Sequence, residues 1–307
     1  MPNRSGRGSL SSPWGRLKPV EQDPLQSMGL PSKGDARLLE YRIQEKFYTS
    51  IVDKYMAFCS EAGQRDELLR RLSSLRIDAV PVAGDPTPVS RLPHSSVEAS
   101  RLFPADDLIS SANGLADILA ALRKLREGIV ASKRADDFAA QVYLFCIRLS
   151  VLAKQPESYH AAISHLLHVI HVKHRLTPLE VQEVVGYLVL DTACRRRQLA
   201  EAISIRHQFR LHDEKVNAVL RAIIHDNYVL FRRIQRNVDG HKARLMEWAE
   251  KDVRMHTLKC LGRTYLSADL QFLEKITEST WEDLTRYDGV GWQLEGERVT
   301  IRKVKAR

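Results

Sequence analysis

Long apolar runs are missing from this 307-residue chain. A helix needs about 20 consecutive apolar residues to cross a bilayer, so no membrane span is expected. The first residues, "MPNRSGRGSLSSPWGRLKP", lack the apolar centre of a secretory leader. Cysteine is scarce as well. Cys59, Cys146, Cys194 and Cys260 stand far apart inside apolar helical patterns, which fits neither a disulfide framework nor a zinc spacing. Reduced thiols in a cytoplasmic or nuclear protein are the expectation. Glycine forms no phosphate-cradling loop, because "DGVG" at 288–291 precedes a strand and opens no helix. There is no serine nucleophile elbow. The acidic pairs Asp136-Asp137 and Glu282-Asp283 fall near helix N-termini, where they favour the dipole. Catalytic residues, cofactor, metal and small-molecule substrate are all expected to be absent, and the chain is not read as an enzyme.

What is present is ordinary globular composition, 44% hydrophobic and 28% charged, with a mild net charge of +9. That charge permits contact with nucleic acid or an acidic partner without demanding either. Residues 1–36, rich in Ser, Gly, Pro and Arg, read as a disordered tail. Residues 37–76 read as one long amphipathic helix, or a pair broken near Ala62-Gly63, with Tyr48, Ile51, Val52, Tyr55, Met56 and Cys59 at helical spacing. Residues 77–106 hold five prolines and no sustained periodicity, and read as a linker.

From about residue 107 the pattern is helix after helix with short breaks. One start is sharply marked: Thr177-Pro178-Leu179-Glu180 offers an N-cap threonine, proline at the first helical position and a glutamate placed to close a capping box. Stacked helix pairs of this kind build an array of antiparallel helices resembling the tetratricopeptide type, here without a strict sequence period. The array is expected over 107–236.

The end of the chain changes character. In "WQLEGERVTI", residues 292–301, a two-residue turn at Gly296-Glu297 sets Glu295 against Arg298, Leu294 against Val299, Gln293 against Thr300 and Trp292 against Ile301. Apolar then meets apolar on one face. Glycine first in the turn suits a type II′ loop. A lone hairpin is marginal in water, so Trp292, Leu294, Val299 and Ile301 should lie on something helical. Before it, "SADLQFLEKI" and "TWEDLTRY" read as short helices opening on Ser267 and Thr280. Residues 237–303 thus have the order of a winged helix, followed by a basic tail at 304–307.

A helical array running without a linker into a C-terminal winged helix resembles the PCI domain, the module shared by scaffold subunits of the proteasome lid, the signalosome and translation initiation factor three. The matching stretch is "VNAVLRAIIHDNYVLFRRI", residues 216–234. It is similar to the segment in which an alanine-containing helix ends at an Asn-aromatic step and the next helix carries a Phe, as also in GANP-type mRNA-export scaffolds. Here those residues are Ala222, Asn227, Tyr228 and Phe231. The resemblance implies a non-catalytic scaffold whose partners are other PCI-containing subunits of a multiprotein complex. It also implies wing-to-wing contact, which a strand edge bearing Arg298, Thr300, Arg302 and Lys303 would supply.

The alternative is an RNA-associated adaptor in mRNA export or processing. Arg195, Arg196 and Arg197, together with Arg232, Arg233 and Arg236, would form its basic patch. Major-groove readout is disfavoured, since the last helix carries Glu282, Asp283 and Asp288 against Arg286. The histidines of "HAAISHLLHVIHVKH" advance in steps of three, which spreads them around a helix and does not converge them on one ion.

Overall fold

The computed structural model describes residues 37–62 and 105–302. The chain divides into two compact units, whose described parts are 37–62 with 105–134, and 135–302. Expectations for the tail, for 63–76 and for most of the linker lie outside the described residues. The helical array was expected to begin at 107, whereas residues up to 134 group with the first helix.

In the first unit, α1 (Tyr41–Ala62) and α2 (Ala105–Ala131) run antiparallel: the start of α1 meets the end of α2 through Gln44 and Gly128, and Phe58 lies beside Gly114. The buried stripe of α2 is Leu115, Ile118, Leu122, Leu125 and Ile129, a 3-4-3-4 spacing that keeps one face toward its partner. On α1 the buried side chains are Gln44, Phe47, Ile51 and Phe58, while Met56 points outward, so the stripe is displaced from the expected one. A 3-10 turn, Arg37–Leu39, presses its backbone on α2 at Gly128, where a Cβ would come within 2.9 Å of the Leu38 carbonyl oxygen. Buried Gln44 ties the corner together, its Nε2 donating to the Leu38 oxygen at 2.7 Å and the Ser132 hydroxyl at 3.0 Å. Arg134, 4% exposed at its side chain, donates to Gln44 Oε1 and Glu45 and stacks on Tyr41.

The second unit is helical until about its last fifth, where strands first appear. Its helices are α3 (Asp137–Leu152), α4 (Pro156–His165), α5 (Pro178–Leu190), α6 (Leu199–Gln208), α7 (Glu214–Ile224), α8 (Tyr228–Gln235), α9 (Gly240–Met246) and α10 (Glu250–Thr264). Caps mark the starts. Asp136 accepts from the Ala139 amide, Asp213 from Lys215 and Val216, and Asp239 from Lys242. Thr177 and Glu180 close the capping box in full. α3 is apolar around nearly its whole circumference and is buried accordingly. Two helices loosen into π-helical turns at their C-terminal ends, Leu166–Ile170 after α4 and Asp191–Arg195 after α5.

Consecutive helices pack on each other, α3 on α4, α5 on α6 and α7 on α8. α9 departs from this order by packing on both α3 and α5. Arg244 reaches the Leu152 carbonyl at 3.0 Å, and Lys242 joins Asp213 to Asp239 at 2.8 and 3.0 Å. In an open repeat array each unit touches only its neighbours; here the ninth helix closes the bundle instead.

After α10 come β1 (Ser267–Asp269), α11 (Leu270–Thr277), α12 (Trp281–Arg286), β2 (Gln293–Glu295) and β3 (Arg298–Thr300). They form a small antiparallel sheet in the order β1-β3-β2. Its core is Leu258, Leu261, Leu273, Leu284 and Val299, with Met255, Leu270, Ile276, Trp281, Val290 and Trp292 packed around it.

Candidate interaction surfaces

The hairpin keeps its expected register, with Gln293 opposite Thr300, Leu294 opposite Val299 and Glu295 opposite Arg298. Gly296 takes φ 62° at the first turn position, the conformation a type II′ loop requires there. Val299 is fully buried, Trp292 is half-buried against Gly262 of α10, Ile301 is half-buried, and Leu294 at the rim is 38% exposed. The four therefore do not share one degree of burial.

The edge expected on the last strand is occupied. β3 is the central strand, with Ser267, Ala268 and Asp269 of β1 opposite Thr300, Val299 and Arg298 on its other side. The stretch from Ser267 was expected to be helical. Ser267 does not cap a helix; Asp269 does, accepting from the Phe272 amide. The reason is non-local: three residues of β1 become a strand only because β3 lies beside them, and nothing in their own spacing announces it. The two basic side chains expected on a free edge are engaged internally. Arg298 donates to the Ser267 hydroxyl and Arg302 to the Arg263 carbonyl. Lys303 lies outside the described residues.

The sheet has two outer strands, β1 and β2, and β2 is the more open of the two, since all three of its residues are exposed whereas two of the three in β1 are half-buried. A two-residue loop is closed by a hydrogen-bonded pair, here Glu295 with Arg298, and such pairs alternate along an antiparallel ladder. Leu294 and Val299 are then a non-hydrogen-bonded pair, so the Leu294 N–H and C=O point away from β3, along the outer edge.

Ala222, Asn227, Tyr228 and Phe231 come together where α7 hands over to α8. Asn227 caps α8, its Oδ1 accepting from the Leu230 amide at 2.9 Å. Phe231 and Ala222 are buried and Tyr228 is half-buried. All four line one cleft of about 330 Å³ that also takes in Cys194, Arg197, Asp252 and His256. Burial pushes the Cys194 thiol up to about 12, with the Asp191 charge adding to it, so it stays protonated and poorly nucleophilic at neutral pH.

The two arginine clusters are largely ion-paired. Buried Asp191 receives both Arg195 Nε at 2.6 Å and NH2 at 2.7 Å, and the Tyr159 hydroxyl at 2.5 Å. Desolvation and this carboxylate hold the Tyr159 phenol well above its ordinary range. Arg196 pairs with Glu201 and Arg197 with Asp252. Arg232, only 8% exposed, reaches Glu278 at 3.1 Å, and Arg236 binds the same carboxylate. Arg233 alone of the six has no carboxylate partner among the described residues. Lone cationic side chains attract phosphate; carboxylate-bridged ones do so far less. Five of the six arginines of the expected basic patch are thus engaged by carboxylates, Arg233 being the exception.

No family model matches this chain, and no curated protein matches its sequence.

The histidines separate. His165 stacks on Tyr143, His171 Nδ1 accepts from the Leu176 amide, and His174 Nε2 meets Asp137 at 2.7 Å, while His168 is exposed. Among the described residues, no group of three or more His, Cys, Asp or Glu comes together in a way that could hold a metal ion. No helix there is long and apolar enough to cross a membrane.

Proposed function

We propose that this chain is a non-catalytic scaffold subunit of a multisubunit assembly, built on a PCI-type module whose C-terminal part is a winged helix. The observation that carries the reading is the order α10-β1-α11-α12-β2-β3 with β3 between β1 and β2. That order is what a winged helix requires, and it follows directly on a helical bundle. The resemblance of residues 216–234 to PCI segments adds to it, because Asn227 and Phe231 hold the α7–α8 step just ahead of that unit. The mechanism is geometric. A rigid cap presents an unpaired strand edge, and a partner strand adds to it through main-chain hydrogen bonds.

The edge in question is β2, and the informative substitution is Leu294→Pro. Proline is tolerated on an edge strand where its missing N–H faced outward. Affinity purification of the tagged full chain, with its companions identified, should recover subunits of one assembly. Leu294→Pro should deplete them while thermal stability changes little. The same companions retained in full by the variant would overturn edge pairing. Recovery of no stable companion would overturn the scaffold reading.

A further inference from the structure

A second surface lies apart from the sheet edge, between α8 and α11. Tyr228, Val229, Phe272 and Ile276 line a groove of about 550 Å³, together with Arg232, Arg233, Arg236, Lys275 and Glu278. Val229 is 60% exposed and Phe272 43%, an arrangement that a monomer leaves uncovered at a cost in apolar hydration. The charges are one-sided. Glu278 is shared by Arg232 and Arg236, which leaves Arg233 and Lys275 without carboxylate partners among the described residues. Four cationic side chains thus line the groove with one carboxylate among them, and Arg232 also lies within 3.6 Å of Glu250.

We propose that this groove docks an acidic amphipathic segment of another protein, its apolar side chains seated on Val229, Phe272 and Ile276 and its carboxylates on Arg233 and Lys275. An apolar floor with a rim of one sign selects an amphipathic segment of the opposite sign. The chain's own remaining segments do not fit, because 1–36 and 63–104 each carry more Lys and Arg than Asp and Glu. Single-stranded RNA fits less well. Glu278 stands within the groove against phosphates, and of its apolar lining only Tyr228 and Phe272 present an aromatic face to a base, while Val229 and Ile276 do not.

The test uses the full chain and three labelled probes. One is a helical peptide with Leu and Phe at i, i+3, i+4 and i+7 spacing on an Asp/Glu background. The others are the same apolar pattern on a Lys background, and oligouridylate. The acidic peptide should bind, with affinity falling as salt rises. The double substitution Arg233→Glu with Lys275→Glu should weaken it at least about tenfold and turn the preference toward the Lys peptide. Phe272→Ala should weaken both peptides, and circular dichroism should report an intact fold for each variant. An acidic peptide that fails to bind, or binds every variant equally, overturns the proposal. So does oligouridylate binding that the charge substitution abolishes while the peptide stays unbound. Leu294→Pro should bind the acidic peptide as the unmodified chain does, so the groove and the strand edge succeed or fail separately.

Discussion

At the scale of single residues, Asn227 illustrates how a position that looks functional is explained by backbone chemistry. The chain turns at Asp226, which adopts a left-handed φ of 51°, and α8 starts immediately afterwards with unsatisfied amides. The Asn227 carboxamide takes one of them at 2.9 Å. Asn227→Ala should therefore cost about 1 kcal/mol of stability, and Asn227→Asp or Asn227→Ser should restore most of it. Urea unfolding of the three variants checks this; an alanine variant as stable as the parent would remove the capping role. Thr177 with Glu180 and Thr280 were readable in advance, because a cap is a local bond between neighbours; Ser267, read in the same way, was not a cap, since it pairs into a strand and Asp269 caps the helix that follows. Gln44, Arg134 and Asp191 were not readable. Each is polar and buried among partners that folding brings close or that a π-helical turn re-aims.

Among elements, the C-terminal sheet shows where local reading ends. The hairpin register was legible because a two-residue turn and an alternating apolar face fix it within ten residues. The third strand was not, since β1 pairs with a segment about thirty positions later. Helix breaks were also found without much help from glycine: Lys133, Lys154, Arg197, Arg210, Asp226 and Glu278 make the left-handed turns, and the interruptions in apolar spacing located them instead. Central placement of β3 has a mechanical consequence. Thr300 faces Ser267 on one side and Gln293 on the other, so a proline there disrupts the interior of the sheet. Thr300→Pro should loosen the whole cap and expose Trp292, whereas Leu294→Pro should not. Tryptophan fluorescence and proteolysis of the two variants make the comparison. Equal protease resistance in both would mean that β3 does not hold the cap together.

For the second unit as a whole, closure by α9 sets a pH response. His241 tilts against Tyr187, and burial lowers its pKa from its ordinary value near 6.5, against the pull of Asp239 and Glu183. Its neighbours shift in the same direction. Arg148 is the largest influence lowering the Glu183 carboxyl, with the Tyr187 hydroxyl helping, and burial opposes them. Burial alone would raise Asp213 and Asp239, but Lys242 and the helix amides together bring both below the usual carboxylate range. A group that binds its proton less readily in the fold leaves the unfolded chain holding more protons, so acid favours unfolding. The His241 contribution is complete above about pH 6.5 and is lost as pH falls below it. The carboxylate contributions are complete above about pH 4 and are lost beneath that. Melting temperature measured from neutral to acid pH should therefore decline in two stages. His241→Phe should flatten the first stage and leave the second, which belongs to the Lys242 and Arg148 ion pairs linking α9, α7, α5 and α3. If the variant declines as steeply as the parent between neutrality and about pH 5, closure of the bundle by α9 does not depend on a neutral imidazole at that position.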